Sequence, residues 1–140
     1  MPHKSRLYLY DTTLRDGAQT SGVDFSVDDK IIVARMIEGL GLAYIEGGYP
    51  GANPTDDAFF TEKRTTKARF VAFGMTKRPG VSLSNDPGVA ALLAAEADAV
   101  TFVAKSWDYH VDVALKTTLE DNIDCIRQSV AAAVAAGREA

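Results

Sequence analysis

Short apolar runs alternate with amphipathic stretches along the whole chain. The runs at 6–10, 42–46, 70–73 and 99–103 are strand-like, and each is followed by a segment whose apolar residues recur at helical spacing. Short runs that are apolar on both faces are typical of parallel strands covered by helices. The pattern therefore predicts an α/β protein built from four strand–helix units.

Helix ends are marked by capping residues. Ser26, followed by Asp28 and Asp29, predicts the start of the first long helix, and Gly41 its end. Asp86 and the proline after it predict another helix start. The third strand is expected to stop at Gly74. A capping-box pattern at 117–120 begins the last helix, whose predicted buried residues are Ile123, Ile126, Val130 and Val134.

Two architectures fit four strand–helix units: a small doubly wound sheet, or half of a (β/α)₈ barrel. A complete barrel takes about 250 residues, whereas this chain has 140. The chain also stops just past the predicted end of the last helix, where a fifth strand is expected. We therefore expect a truncated chain, and the choice between the two architectures stays open at this point.

Composition narrows the class of protein. A net charge of −4 gives no reason to expect nucleic acid or an anionic membrane as partner. No signal peptide or transmembrane run is recognisable, so we expect a soluble, cytoplasmic protein. Cys125 is the only cysteine and lies inside a predicted helix, where it is interpreted as a small buried side chain.

Candidate chemistry lies behind the predicted strands. Arg15 and Asp16 follow the first strand and together could bind an anionic substrate and a cation. A plain turn is the alternative, but no apolar strand follows as a hairpin would require. Glu46 closes the second strand, where it is either exposed or held inward by a cation, a metal or an arginine. Lys105 follows the fourth strand, either as part of a site wall or as a solvated loop residue.

The stretch 11–19, Asp-Thr-Thr-Leu-Arg-Asp-Gly-Ala-Gln, resembles the opening signature of the acyl-CoA-dependent Claisen-condensing enzymes. That family comprises isopropylmalate, homocitrate and citramalate synthases, with the related hydroxymethylglutaryl-CoA lyases. The stretches 22–26, 44–54, 73–76 and 105–111 are similar to the citramalate synthase branch, so the resemblance covers essentially the whole chain. It implies a (β/α)₈ barrel, of which this chain would be a part, with residues 1–140 forming the N-terminal half of the catalytic domain.

The resemblance also implies roles for individual residues. Asp16 would ligate a catalytic divalent metal, either Mg²⁺, Mn²⁺ or Zn²⁺. Arg15 and Glu46 would be catalytic, with Arg15 steadying the keto-acid oxygen and Glu46 supporting the metal site. Arg15, Gln19 and Lys105 would bind the substrate. The family completes this site with a His-x-His pair, but the two histidines here, His3 and His110, are far apart in the sequence.

The resemblance thus implies an acyltransferase that condenses acetyl-CoA, its co-substrate, with a 2-oxo acid, most simply pyruvate. We expect the 140-residue chain by itself to be inactive, and its open sheet edges to favour association as a homo-oligomer. Two alternatives stay open: a hydroxymethylglutaryl-CoA lyase-type enzyme, and a non-catalytic half-barrel.

Overall fold

Parallel strands alternate with helices in the computed structural model, which describes residues 7–64 and 66–140. The strands are β1 (Tyr10–Asp11), β2 (Tyr44–Gly48), β3 (Arg69–Met75) and β4 (Ala99–Val103). The helices are α1 (Val27–Gly39), α2 (Pro54–Phe59), α3 (Pro87–Ala94), α4 (Asp108–His110) and α5 (Leu119–Ala135). Single turns of 3₁₀ helix lie at Gly17–Gln19 and Leu83–Asn85, and a π-helical turn at Val111–Leu115. His3 and Arg6 lie outside the described residues.

The sheet has the strand order β1-β2-β3-β4, and every neighbouring pair is parallel. In a doubly wound sheet the order of the strands reverses at a switch point. In a βα barrel, consecutive strands lie side by side. Parallel pairing also extends past β4, because the Val100 N–H donates to the Glu139 carbonyl at 2.8 Å. The α/β prediction is confirmed, and the strand order is that of a barrel.

The core lies between the sheet and its helices. Ile45 of β2, Phe70 of β3 and Leu92 of α3 are almost completely buried there, together with Phe59 at the end of α2. Side chains that alternate with them along the strands lie on the opposite, concave face of the sheet. Among the described residues, every helix is too short or too polar to cross a bilayer.

The predicted helix ends are confirmed. Ser26 and Asp29 form a reciprocal capping box at the start of α1, and Asp86 accepts hydrogen bonds from two backbone N–H groups of α3. Thr118 caps α5 by accepting from the Asp121 N–H. Gly41 has φ +79°, the left-handed conformation that favours glycine after a helix.

The predicted strand bounds were partly wrong. Only Tyr10 and Asp11 pair with β2, so residues 7–9 precede β1 rather than form it. The second strand lies two residues later than predicted, at Tyr44–Gly48. Gly74 does not stop β3; it pairs with β4, and its missing side chain lets Leu92 lie directly against the strand.

The predicted buried face of α5 was also wrong. Ile123, Val130 and Val134 are exposed, and Ile126 is only half-buried. The buried residues are instead small or polar: Asn122, Cys125, Ser129 and Ala133. Asn122 donates to the Lys105 carbonyl at 2.9 Å, and Ser129 accepts from the Lys77 N–H at 2.9 Å. These hydrogen bonds attach α5 to the loops after β3 and β4, with Cys125 buried as predicted.

Candidate active site

The loop after β1 turns around one backbone carbonyl. The Thr12 oxygen accepts hydrogen bonds from the N–H groups of Arg15 at 3.2 Å, Asp16 at 2.7 Å and Gly17 at 3.2 Å. Leu14, inside this turn, is fully buried in the core. Because the Thr12 hydrogen bonds and the buried Leu14 side chain both anchor the turn, Arg15 and Asp16 have a defined position beside the carboxyl end of β1.

Glu46 is buried at the carboxyl end of β2, with 1% of the residue exposed. Its Oε2 accepts from Arg15 Nε at 2.8 Å, and its Oε1 accepts from the Tyr10 hydroxyl at 2.9 Å. Both oxygens therefore have donors, which a buried carboxylate requires. Of the alternatives for Glu46, the structure shows the inward one, with an arginine as the partner.

Tyr10 and Thr101 extend this network across the concave face. Their hydroxyl oxygens are 2.7 Å apart, although Tyr10 is on β1 and Thr101 on β4. Burial raises the pKa of the Tyr10 hydroxyl far above its usual value; the Thr101 hydrogen bond offsets this only partly, and Glu46 raises the pKa further. The Tyr10 hydroxyl therefore stays protonated and donates a hydrogen bond to Glu46. Sequence reasoning missed both residues, although hydroxyls within otherwise apolar strands were a signal.

The guanidinium of Arg15 is fixed on three sides. Besides Glu46, it stacks over the ring of Phe73, 4.1 Å from the centroid, and its Nη1 donates to Asp16 Oδ1 at 3.1 Å. Nη2 has no hydrogen-bond partner among the described residues. An arginine that is held in place and keeps a free donor at a barrel rim can bind a carboxylate or stabilise an oxyanion.

Gln19 and Arg15 border the same cavity, and the substrate-binding role of Gln19 stays a prediction. The two residues line a cavity of about 320 Å³ between the β1 loop and the loop after β2, which contributes Tyr49 and Asn53. Asn53 caps α2 by accepting from the Asp56 N–H at 2.8 Å. The structure therefore brings Arg15, Gln19 and the β2 loop together around a cavity of small-molecule size.

Lys105 is not in that cavity. It lines a smaller one of about 130 Å³ with Lys77, Asn122 and Cys125, between the ends of β3 and β4 and helix α5. The strand end that carries Lys105 belongs to the same edge of the sheet as Arg15, but the two side chains line different cavities. A substrate-binding part for Lys105 stays a prediction.

Asp16 fits one position in a metal site. Its side chain is 58% exposed, and Arg15 occupies only Oδ1, so Oδ2 is available as a hard oxygen ligand. Within residues 7–64 and 66–140, no group of three or more His, Cys, Asp or Glu side chains is arranged to hold a metal. Asp16 thus supplies a single suitable ligand.

The fold and the position of the polar groups define a class of protein. A curved parallel sheet in consecutive strand order carries a buried carboxylate–guanidinium pair and an exposed carboxylate at the carboxyl end of its strands. Barrel enzymes place their active sites at this edge. The chain matches the HMGL-like family over residues 6–140 and belongs to that family.

Within this family, the chain is similar in sequence to citramalate and isopropylmalate synthases. The chain is 49% identical over 128 residues to the (R)-citramalate synthase of Aquifex aeolicus, covering 89% of this chain and 24% of that protein. It is 45% identical over 135 residues to the (R)-citramalate synthase of Streptomyces coelicolor, covering 94% and 25%. The 2-isopropylmalate synthase of Streptococcus gallolyticus is 36% identical over 130 residues, with 89% and 24% covered. The chain thus spans about a quarter of the length of these relatives.

Solved structures support the same fold. The HMG-CoA lyase of Bacillus subtilis aligns with a TM-score of 0.71 and 17% identity over 99% of this chain and 46% of that one. The HMG-CoA lyase of Brucella melitensis aligns with a TM-score of 0.67 and 17% identity over 94% and 46%. The partial (β/α)₈ barrel is therefore confirmed, and the similarity to citramalate synthases agrees with the resemblance of the 11–19 motif.

Proposed function

We propose that this chain is the N-terminal half of the catalytic barrel of an acyltransferase that condenses acetyl-CoA with a 2-oxo acid, most simply pyruvate. The observation that carries the proposal is the geometry of Arg15. Glu46, Phe73 and, through Nη1, Asp16 hold its guanidinium, while Nη2 has no hydrogen-bond partner among the described residues. The similarity to (R)-citramalate synthases supports the choice of reaction and substrate.

The chemistry follows from the charges at this edge. A divalent cation, with Asp16 as one ligand, would polarise the keto carbonyl of the 2-oxo acid as a Lewis acid. Arg15 donates from Nη2 to the carboxylate or keto oxygen of the substrate and stabilises the negative charge that grows during attack by the thioester enolate. Gln19 contributes an amide to the same cavity. One carboxylate ligand suits Mg²⁺, Mn²⁺ and Zn²⁺ alike.

Glu46 acts through Arg15. Both of its oxygens are engaged, one by Arg15 and one by Tyr10, so it has no oxygen directed at a substrate. Its buried charge fixes the guanidinium and keeps the Arg15–Asp16 unit in place. We therefore assign Glu46 a positioning part in catalysis. Lys105 stays a predicted substrate-binding residue, since it lines a separate cavity beside α5.

The 140-residue chain by itself is proposed to be inactive and to self-associate. Leu7, Leu9 and Tyr10 are exposed beside the β1 edge, and Met36 and Leu40 are exposed on α1. Apolar surface beside an unpaired strand favours association. Size-exclusion chromatography of the chain over a range of concentrations tests this, and a strict monomer at high concentration would contradict it.

Product analysis with the full-length protein tests the reaction. The protein is incubated with Mg²⁺ or Mn²⁺, acetyl-CoA and a panel of 2-oxo acids, and separately with hydroxymethylglutaryl-CoA. We expect free CoA and a 2-hydroxy diacid from the first mixture, because water hydrolyses the thioester of the condensed product, and no cleavage in the second. Cleavage without condensation would replace the proposal by the lyase alternative. The absence of both activities would support the non-catalytic half-barrel.

Matched variants assign the activity to this site. Asp16→Asn and Arg15→Lys are each expected to lower kcat/KM by at least about 10²-fold, because each removes a charge-stabilising contact at the reacting carbonyl. Asp28→Asn is the control, since Asp28 is an exposed residue in the first turn of α1, outside the cavity. Equal activity of Asp16→Asn and Asp28→Asn would remove Asp16 from the site.

A further inference from the structure

The hydrogen bonds around Glu46 place a residue in the site that the 11–19 motif does not contain. Tyr10 directly precedes that motif, and its hydroxyl is the second donor to the Glu46 carboxylate. A hydroxyl can donate one hydrogen bond, and Tyr10 donates its hydrogen bond to Glu46. The Thr101 hydroxyl must therefore be the donor in its hydrogen bond to the Tyr10 oxygen, 2.7 Å away. The order of donation is therefore Thr101 to Tyr10 to Glu46.

We propose that Tyr10 is a positioning residue: its hydroxyl, held by Thr101, keeps Glu46 Oε1 away from Arg15 and so leaves Nη2 of Arg15 free for the 2-oxo acid. This inference rests on the proposed function. It assigns the hydroxyl of Tyr10 to substrate binding, through Glu46 and Arg15, rather than only to the stability of the sheet.

The edges of the Arg15 guanidinium limit how Glu46 can pair with it. Nε and Nη2 of arginine form one edge that readily binds a carboxylate through two parallel hydrogen bonds. In this structure Glu46 uses only Nε, at 2.8 Å, because Oε1 is taken by Tyr10 at 2.9 Å. Without the Tyr10 hydroxyl, Oε1 has no other donor among the described residues except that edge of Arg15.

A buried oxygen with no donor is costly. Glu46 itself is 1% exposed, so in this structure water has little access to its carboxylate. In Tyr10→Phe we therefore expect Glu46 to rotate onto both Nε and Nη2. Nη2 of Arg15 is then occupied by Glu46 and is lost to the 2-oxo acid.

The test is a kinetic comparison of Tyr10→Phe with Tyr44→Phe in the full-length protein. Tyr44 is the matched control because its ring stacks on Tyr10 with centroids 5.9 Å apart, while its hydroxyl donates to Glu139 at 2.8 Å, away from Arg15. For Tyr10→Phe the KM of the 2-oxo acid should rise about tenfold, with the KM of acetyl-CoA unchanged. Tyr44→Phe should leave both values unchanged.

Two further measurements separate positioning from a structural part. Calorimetric binding of pyruvate in the presence of Mg²⁺, without acetyl-CoA, should weaken by the same factor in Tyr10→Phe. In a Glu46→Gln background, Tyr10→Phe should have no additional effect, because it acts through that carboxylate. If Tyr10→Phe does not fold, Thr101→Val is expected to raise the same KM by a smaller factor.

The outcomes are distinct. Identical KM values in Tyr10→Phe and Tyr44→Phe would overturn the inference, as would parallel changes in both substrates' KM accompanied by a lower melting temperature. If the wild-type protein condenses no 2-oxo acid, the proposed function fails and the inference fails with it. If the wild type is active and Tyr10→Phe equals it, the inference alone fails.

Discussion

Removal of the buried ammonium of Lys30 should strongly destabilise the fold. Lys30 lies in α1 with 2% of the residue exposed, and its Nζ donates to the Gly47 carbonyl at 2.9 Å and forms an ion pair with Asp56. Asp56 also accepts from the Tyr49 N–H at 2.8 Å and from Asn53 Nδ2 at 2.9 Å. This cluster joins α1 to the end of β2 and to the loop beside Arg15.

The expected magnitude follows from what Lys30→Met leaves behind. Breaking a buried ion pair by removing one partner costs about 3–5 kcal/mol, because the other charge stays buried without compensation. Asp56 keeps two neutral donors in Lys30→Met, so we expect the lower end, about 3 kcal/mol. With a urea m-value of about 2 kcal/mol per M, the unfolding midpoint should fall by about 1.5 M.

Urea unfolding followed by circular dichroism measures this shift, in dilute solution to suppress association. Lys63→Met is the control, because the Lys63–Asp98 pair is 3.9 Å long and Lys63 is 62% exposed, so its loss should cost less than about 1 kcal/mol. Lys30→Met/Asp56→Asn should be less destabilised than the sum of the single variants. A Lys30→Met midpoint equal to that of Lys63→Met, or strict additivity, would refute the reasoning.

Three more predictions concern packing and pH. Gly74→Ala should lower the free energy of unfolding by about 1–3 kcal/mol, measured by thermal unfolding, because the added methyl would overlap Leu92. Leu92→Ala should cost about 2–5 kcal/mol and Ile123→Ala less than about 0.5, since Leu92 is fully buried and Ile123 is exposed; similar losses would contradict the assignment of the α5 face. Burial alone would raise the pKa of Asp86, but hydrogen bonds from the Arg78, Val89 and Gly88 N–H groups and the Arg78 charge outweigh it and lower the pKa. Asp86 therefore stabilises the fold above its unfolded pKa of about 3.9 and loses this contribution as pH falls through its folded pKa. As pH is lowered, the free energy of unfolding should fall less steeply in Asp86→Asn than in the wild type.

Local signals predicted the elements and the family well. Ser26, Asp86 and Gly41 mark helix ends because capping and the left-handed conformation depend on neighbouring backbone groups only. The resemblance of the motif at 11–19 implied roles for Arg15, Asp16 and Gln19, which follow one another within the loop after β1. Such features need no contact between distant parts of the chain.

Tertiary contacts decided the rest. The residues of α5 that face the sheet are small and polar, because Asn122 and Ser129 bond to the loops after β4 and β3, and periodic apolar spacing did not reveal that choice. The sequence left open whether Glu46 is exposed or held inward. The structure shows it held inward, with Arg15 Nε 2.8 Å from its Oε2. Tyr10 and Thr101 are separated by 90 intervening residues, and only the curvature of the sheet brings their hydroxyls together. The sequence by itself determined which groups stand at the ends of the strands, whereas the curved sheet determined which of them touch.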